Sequence, residues 1–348
     1  MAIHIDGIIF SLQQHGGISV YTRELLSHLV AEGVSTVLTM EMPISQVVDY
    51  NLNTSLLVEQ RASRSVERYR RCRTTETASV FHSSYYRQPS QQSIPSVVTV
   101  HDFTYERFNA GLRKWVHMSQ KYAAIRSAQA IICVSEATRQ DLEEFVGVRK
   151  EQQVYVIPNG VSETFRPLPS QELVSKPFVL YVGARDGYKN FSLMLHALNS
   201  LPDFELHCIG GGMLRPDELS MVPLPVRCRV RHLGFVSEET LNEHYNRAIC
   251  LAYTSSYEGF GIPVIEAMRA GCPVVCIDCK AVLEIGRDAL TVVQGADPLE
   301  LSEAIQKTCD NTYRNKIIAK GLNVAKQYSW CDTHKRTLQL YKSLGEGL

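Results

Sequence analysis

Ser255-Ser256-Tyr257-Glu258-Gly259-Phe260-Gly261-Ile262-Pro263-Val264-Ile265-Glu266-Ala267-Met268, followed by Arg269-Ala270-Gly271-Cys272-Pro273-Val274-Val275, packs a strand end, a glycine loop, a short helix and the next strand into one run. Pro263 suits the first helical position, where its missing N–H costs nothing, and Gly271 suits the stop, where a left-handed residue is wanted. The helix start at Ile262-Pro263 therefore aims unpaired backbone N–H groups, and the positive end of a dipole, past the strand ends. An anion is the natural occupant of such a place.

Two carboxylates flank that start. Glu258 falls in the loop, and Glu266 about a turn into the helix on the side of the same crevice. The plain reading is a solvated loop charge and a carboxylate complementing the helix N-terminus, worth roughly 0.3–1 kcal/mol. The glycines on either side of Phe260 favour a functional reading, because they let backbone approach a ligand closely. The pattern Glu258-Gly259-Phe260-Gly261-Ile262-Pro263, with Glu266 eight positions after Glu258, resembles the E-x7-E signature of retaining GT-B glycosyltransferases of family 4.

At 348 residues the chain is long for one domain and comfortable for two. A formal net charge of zero gives no support to a nucleic-acid binder, which would carry a basic excess. Met1 to Phe10 lacks the basic start and long apolar run of a signal peptide, and no window approaches a membrane span of about 18 apolar residues. A soluble, cytoplasmic protein is expected. Ten cysteines, from Cys72 to Cys331, show no disulfide rhythm and read as reduced thiols, many of them in apolar strands. Cys272, Cys276 and Cys279 have the C-x3-C-x2-C spacing of an iron–sulfur site, but Pro273 to Asp278 reads as a buried strand that would turn Cys276 and Cys279 to opposite sides.

From the N-terminus, His4 to Phe10 reads as a first strand and Ser19 to Val30 as a helix. Gly16 and Gly17 lie between them, without the G-x-G-x-x-G spacing of a dinucleotide fold. In the resembled family a glycine loop at this point lies beside the donor pyrophosphate, a role that would fall to Gly16 and Gly17. Arg61 to Arg73 carries six arginines against one glutamate, with Val66, Tyr69 and Cys72 at helical spacing. It is either a solvated helix face or a basic amphipathic patch resting on anionic lipid. Arg107 to Met118, with Phe108, Leu112, Arg113, Lys114 and Trp115, is a second such surface.

Val80 to Ser83 and Val97 to Asp102 read as strands with polar ends, making His82, His101 and Asp102 candidates, since ligands in open parallel sheets gather at carboxyl ends. Val100-His101-Asp102 resembles the strand-end histidine that the family places near the donor sugar. A further strand at Ala130, a helix capped by Ser135 and running to Phe145, and a strand from Val154 close the first half. Pro158-Asn159-Gly160 and the stiff Phe165 to Pro169 mark the domain boundary. The second half repeats the alternation: Phe178 to Val182, a loop with Arg185 and Lys189, Leu206 to Gly212, Val230 to Val236 and Cys250 to Ser256. A basic pair facing the crevice would clamp a diphosphate through charge-assisted hydrogen bonds of roughly 1.5–3 kcal/mol each. The family uses such a pair, often more widely spaced, which leaves Lys189 the firmer of the two. Glu284 falls in a turn resembling one that shapes the family's nucleotide pocket.

The expected fold is α/β of the GT-B type, two Rossmann-like doubly wound domains facing a central cleft: 1–165 on the acceptor side, 170–330 for the nucleotide sugar, and a final helix in 331–348 packing back on the first domain. The resemblance implies hexose transfer from a nucleotide diphosphate sugar with retained configuration. Glu258 with the Phe260-Gly261 backbone would hold sugar hydroxyls, Glu266 the ribose, and His101 the sugar near its reacting carbon. Arg185, Lys189, Gly16, Gly17 and the helix start at Ile262 would carry the diphosphate. No D-x-D pattern is visible, so fixed positive charge rather than a metal is expected there. Ile8 to Tyr21 resembles bacterial transferases of surface-polysaccharide assembly, which implies GDP-mannose, with a UDP-hexose as the other donor. The implied acceptor is a glycan or polyprenyl-diphosphate-linked glycan, met at the inner face of a membrane. Three alternatives stand: a nucleotide-sugar epimerase of the same architecture, a non-catalytic partner subunit, and a nicotinamide oxidoreductase, the last lacking its glycine fingerprint.

Overall fold

The computed structural model describes residues 1–13, 16–40, 55–58, 64–169, 176–185 and 187–345. The chain divides into two compact units, Met1–Gly160 with Trp330–Leu348, and Val161–Ser329.

In the first unit, the described strands β1 (Ala2–Asp6), β2 (Ser35–Met40), β3 (Ser55–Val58), β4 (Val80–Ser83), β5 (Ser96–Val100), β6 (Ala130–Cys133) and β7 (Gln153–Val156) form one sheet in the order β3-β2-β1-β4-β5-β6-β7. Every pairing is parallel. β4, β5 and β6 are buried along their whole length, which explains their unbroken apolar runs: helices cover both faces of such a sheet. The order reverses between β1 and β4, the place where ligands collect in doubly wound sheets.

The expected first strand is shorter than its apolar run. β1 ends at Asp6, and Ile8–Leu12 is a helix with Ile8, Ile9 and Phe10 buried. The Asp6 carboxylate accepts the Ile8 N–H (3.2 Å) and Gly7 N–H bonds Thr39 O (2.8 Å), so the chain turns where the hydrophobicity continues. The basic stretch also departs from expectation. Arg64–Glu67 is a single helical turn, and Cys72 is a buried bridge residue paired with Pro89 rather than the next position on a helix face. Residues 61–63 lie outside the described set. The final helix, Trp330–Gly345, belongs to this unit: Trp330, Leu340 and Tyr341 join the core around Ile3, Ile5 and Leu26. Thr333 donates to Pro158 O (2.7 Å).

The second unit repeats the plan. β8 (Phe178–Val182), β9 (Glu205–Ile209), β10 (Val230–Gly234), β11 (Cys250–Tyr253), β12 (Val274–Ile277) and β13 (Thr291–Val293) lie in the order β10-β9-β8-β11-β12-β13, all parallel among the described residues. Its switch point falls between β8 and β11. Ser237, Asp297 and Asp310 each cap a helix by accepting backbone N–H groups. Cys272, Cys276 and Cys279 are buried free thiols, and among the described residues no group of three or more His, Cys, Asp or Glu is placed to hold a metal.

Candidate active site

The second unit brings its site together at the switch point. Beyond β8 the chain passes Gly183 and Arg185 into a 3-10 turn, Gly187–Lys189, and then a helix, Phe191–Asn199. Beyond β11 it runs through Thr254 to the glycine loop and the helix Ile262–Ala270. The two loops are stitched together: Thr254 Oγ1 donates to Lys189 O (2.7 Å), Asn190 Nδ2 to Thr254 O (3.1 Å) and Ser256 N to Tyr188 O (2.9 Å). Lys189 and Glu258 consequently meet, Nζ to Oε1 at 2.5 Å, with side chains 18% and 13% exposed. The buried Tyr253 hydroxyl also bonds Glu258, and the hydroxyl's pKa is pushed well up by burial first and by Glu258 second.

Gly261, at φ +128, stands directly before the helix, where an L side chain would be strained and a Cβ would press Ile285 Cδ1 at 3.3 Å. Ile262 is therefore the first helical residue and Pro263 the second, one position later than expected. Gly271 ends the helix at φ +77, as its left-handed role requires. Phe260 is buried edge-on against Tyr328, ring centroids 5.8 Å apart, so its contribution to a ligand would come from its backbone.

Glu266 accepts from the Tyr245 hydroxyl (2.9 Å). Burial pushes its carboxyl up to about 7, the tyrosine hydroxyl opposing the shift. Arg185 is differently engaged. Its side chain is 3% exposed, its Nε pairs with Glu218 (3.1 Å), and its other nitrogens donate to Gly210 O, Gly212 O and Met213 O at 2.8–3.2 Å. It latches the glycine turn after β9, and a diphosphate would have to compete for donors already in use. Glu284 is exposed on the helix Lys280–Gly286.

In the first unit, His101 follows β5 and packs edge-on to Tyr21, centroids 5.1 Å apart. Burial holds its pKa down to about 4, Asp102 opposing and Lys121 adding to the shift, so the imidazole is neutral near pH 7. The Asp102 carboxylate accepts Thr104 N–H (2.9 Å), while its carbonyl receives Lys121 Nζ (2.6 Å). Lys121 is itself buried and paired with Glu106 (3.1 Å). His82, the other strand-end histidine, is a satisfied core residue: it bonds Thr99 Oγ1 (2.9 Å) and the Tyr341 hydroxyl, and burial lowers its pKa to about 3. Gly16 and Gly17 begin the helix Gly17–Ala31, whose first-turn N–H groups have no intrahelical acceptor. Gln14 and His15 lie outside the described residues.

Tyr253, Tyr245 and Lys121 were not singled out from the sequence. Tyr253 ends the strand before the motif, a position that could have been read; Tyr245 and Lys121 act across long sequence separations that carry no local mark.

Two Rossmann-like units, the second with a glycine loop and the Lys189–Glu258 pair at its switch point, fit the GT-B plan, and comparison with known proteins supplies the class, a glycosyltransferase. Residues 15–165 match the family described as Glycosyltransferase Family 4, and residues 167–324 that described as Glycosyl transferases group 1. The chain is 30% identical over 268 residues to the O-antigen chain mannosyltransferase B of Escherichia coli, covering 72% of this chain and 70% of the relative. Among solved structures, sucrose-phosphate synthase from Thermosynechococcus elongatus superposes with a TM-score of 0.78 at 19% identity over the whole of both chains. WaaG, a glycosyltransferase involved in lipopolysaccharide biosynthesis, gives 0.74 at 15% identity, covering 98% of this chain and 99% of its own. The chain belongs to the family 4 GT-B glycosyltransferases.

Proposed function

We propose that the protein transfers mannose from GDP-mannose to a hydroxyl of a glycan or polyprenyl-diphosphate-linked glycan, with retention, in the assembly of a surface polysaccharide. Membership of the family and the similarity to an O-antigen mannosyltransferase support the sugar and the setting. The Lys189–Glu258 pair beside the Gly261–Ile262 helix start is the observation that carries the chemistry. In this reading Lys189 and the first-turn N–H groups receive the donor diphosphate, with the Gly16-Gly17 helix start as a second source of N–H donors. Glu258 and the Phe260-Gly261 backbone hold sugar hydroxyls, Glu266 accepts from the ribose, and neutral His101 serves the sugar near its reacting carbon. Arg185 acts on the diphosphate through the glycine turn that it holds.

Catalysis is then positioning plus stabilisation of a leaving phosphate by fixed positive charge, without a metal. The bond from the anomeric carbon to the phosphate oxygen breaks while the bond to the acceptor oxygen forms on the same face. The acceptor proton passes to the departing phosphate. A glycosyl adduct trapped on Glu258 would rule this route out. No helix of the described residues is long and apolar enough to cross a membrane. In this reading, contact with the inner face is peripheral, through the exposed Phe108 and Leu112.

A thermal-shift series without metal, using GDP, UDP, GDP-mannose and UDP-glucose, tests the donor. At a hundredfold the dissociation constant a ligand adds about 2.7 kcal/mol of stability. Selective stabilisation by the guanine pair supports mannosyl transfer, a selective uracil response moves the donor to a UDP-hexose, and no response to any nucleotide would overturn the reading.

A further inference from the structure

A cavity of about 490 Å³ lies in the first unit, and none of the residues assigned to the donor lines it. One wall is the segment Tyr69-Arg70-Arg71 and the other the helix Leu112–Ser127, which presents Trp115 and Ser119; Tyr86 also lines it. Trp115 is 65% exposed and Tyr69 50%, an unusual outlay of aromatic surface on one groove.

The arginine wall is built rather than incidental. Arg87 is wholly buried and paired with Asp6 (3.1 Å) at the end of β1, the switch point of this sheet. Its Nε and second terminal nitrogen donate to the carbonyls of Arg70 (3.0 Å) and Arg71 (3.3 Å), and Cys72 N bonds Gln88 O (2.8 Å). The backbone carrying the basic side chains is thereby tied to the sheet. Arg70 is neutralised by Glu67 (2.9 Å). The exposed Arg71 has the uncharged Gln92 amide 2.7 Å from both terminal nitrogens, and with that amide turned so that its oxygen faces them it accepts from the guanidinium without cancelling its charge.

Tyr86 gives an independent sign. It holds φ +60, a strained conformation for a non-glycine residue that survives where the surroundings impose it, typically at functional positions. Its ring meets His117 edge-on, and its hydroxyl accepts the His101 backbone N–H. One strained residue thus lines the groove and backs the candidate catalytic histidine.

We propose that this groove is the acceptor's distal subsite and takes a saccharide bearing a phosphate or diphosphate, a pyranose ring lying on Trp115 and its phosphate held by Arg71. The volume is that of a small-ligand site, a pyranose offers a C–H face to an aromatic ring, and a guanidinium matches phosphate geometry. A concave site with its cation inside suits a ring and an anion better than the flat surface of a bilayer. The assignment rests on glycosyl transfer only in naming the ligand an acceptor.

Trp115 is the reporter, because the chain has two tryptophans and Trp330 is buried. The full chain, with GDP and UDP present to fill the donor subsite, is titrated with glucose 1-phosphate, glucose, inorganic phosphate and phosphatidylglycerol-containing vesicles while tryptophan emission is followed. Glucose 1-phosphate is expected to shift the emission saturably, with glucose or phosphate alone, and Arg71→Gln with glucose 1-phosphate, each weaker by about tenfold in Kd. Tighter binding of a geranyl-diphosphate-linked glucose would identify the phosphate as a lipid carrier's, and equal binding a soluble sugar phosphate; either upholds the subsite. A response to vesicles with none to glucose 1-phosphate, or a sugar-phosphate response indifferent to Arg71→Gln, overturns it. Nucleotide binding measured in parallel keeps the outcomes apart: nucleotide bound without a sugar-phosphate response defeats the subsite alone, and the reverse defeats the transfer reading alone.

Discussion

Removing Lys189 and removing Glu258 should change nucleotide binding in opposite directions. In the ligand-free protein the two are one charge-assisted hydrogen bond of 2.5 Å, largely shielded from solvent. In the proposed reading an incoming diphosphate shares the ammonium with Glu258. Lys189→Met deletes the ligand's cation, worth about 1.5–3 kcal/mol for a hydrogen bond to a charged group, so Kd for GDP or UDP should rise roughly 10- to 150-fold. Glu258→Gln leaves the ammonium wholly to the phosphate, and Kd for the free nucleoside diphosphate should fall about 3- to 10-fold, a gain on the order of 1 kcal/mol. The same variant should lose about 10- to 100-fold in kcat/KM with the sugar nucleotide, because the carboxylate proposed to hold sugar hydroxyls has been neutralised. Both single variants should also melt lower, by about 2–4 °C for each kcal/mol in a unit of this size. Titration calorimetry of the wild type, both single variants and the double variant gives the four corners of a cycle. Glu258→Gln weakening nucleotide binding as strongly as Lys189→Met would refute the division of labour, and an unchanged Kd in Lys189→Met would remove the diphosphate from this switch point.

Glu266, pushed up to about 7 by burial, should make donor affinity pH-dependent: a carboxylate accepts from ribose and a protonated acid does so poorly, so nucleotide Kd should improve from pH 6 to pH 8, and Glu266→Gln should flatten the profile in the same calorimetric titration. The sign for stability is opposite, since a carboxyl whose folded pKa lies above its unfolded value of about 4.3 stabilises fully below that value and loses the contribution as pH rises through about 7; urea melts of the ligand-free wild type and Glu266→Gln should diverge between pH 5 and 8. Arg185→Met should leave the buried Glu218 with only the largely exposed Arg215 guanidinium (3.4 Å) as a cation and cost about 3 kcal/mol in urea unfolding, the low end for breaking a buried pair. A stability loss below about 1 kcal/mol with a large rise in nucleotide Kd would instead make Arg185 a direct diphosphate ligand.

What could be read from the sequence is what local chemistry decides. Gly271 and Pro263 punctuate a helix by backbone conformation and a missing N–H, properties that need no distant partner, and the structure places the helix within one residue of that reading. The strand–helix alternation likewise gives the doubly wound sheets, because parallel strands need crossovers. Ile8-Ile9-Phe10 misleads for the converse reason. A short apolar run has no period that tells a buried strand from a buried helix, and Thr39, 32 residues beyond Gly7, takes part in turning the chain there. Val66, Tyr69 and Cys72 have helical spacing, yet Cys72 pairs with Pro89, a contact that only the tertiary fold supplies.

The same distinction separates the two cations of the β8 loop. Arg185 and Lys189 stand four residues apart after one strand, and nothing in their neighbourhood ranks a latch above a ligand clamp. Glu218 and three carbonyls beyond β9 occupy the arginine, whereas the lysine meets a carboxylate from the glycine loop, itself a candidate for sugar binding. A guanidinium with four donors committed is costly to redirect, while an ammonium with three rotatable donors can keep its carboxylate and still donate to a phosphate. That difference in hydrogen-bond capacity, more than charge, is why the proposed reading gives the diphosphate to Lys189.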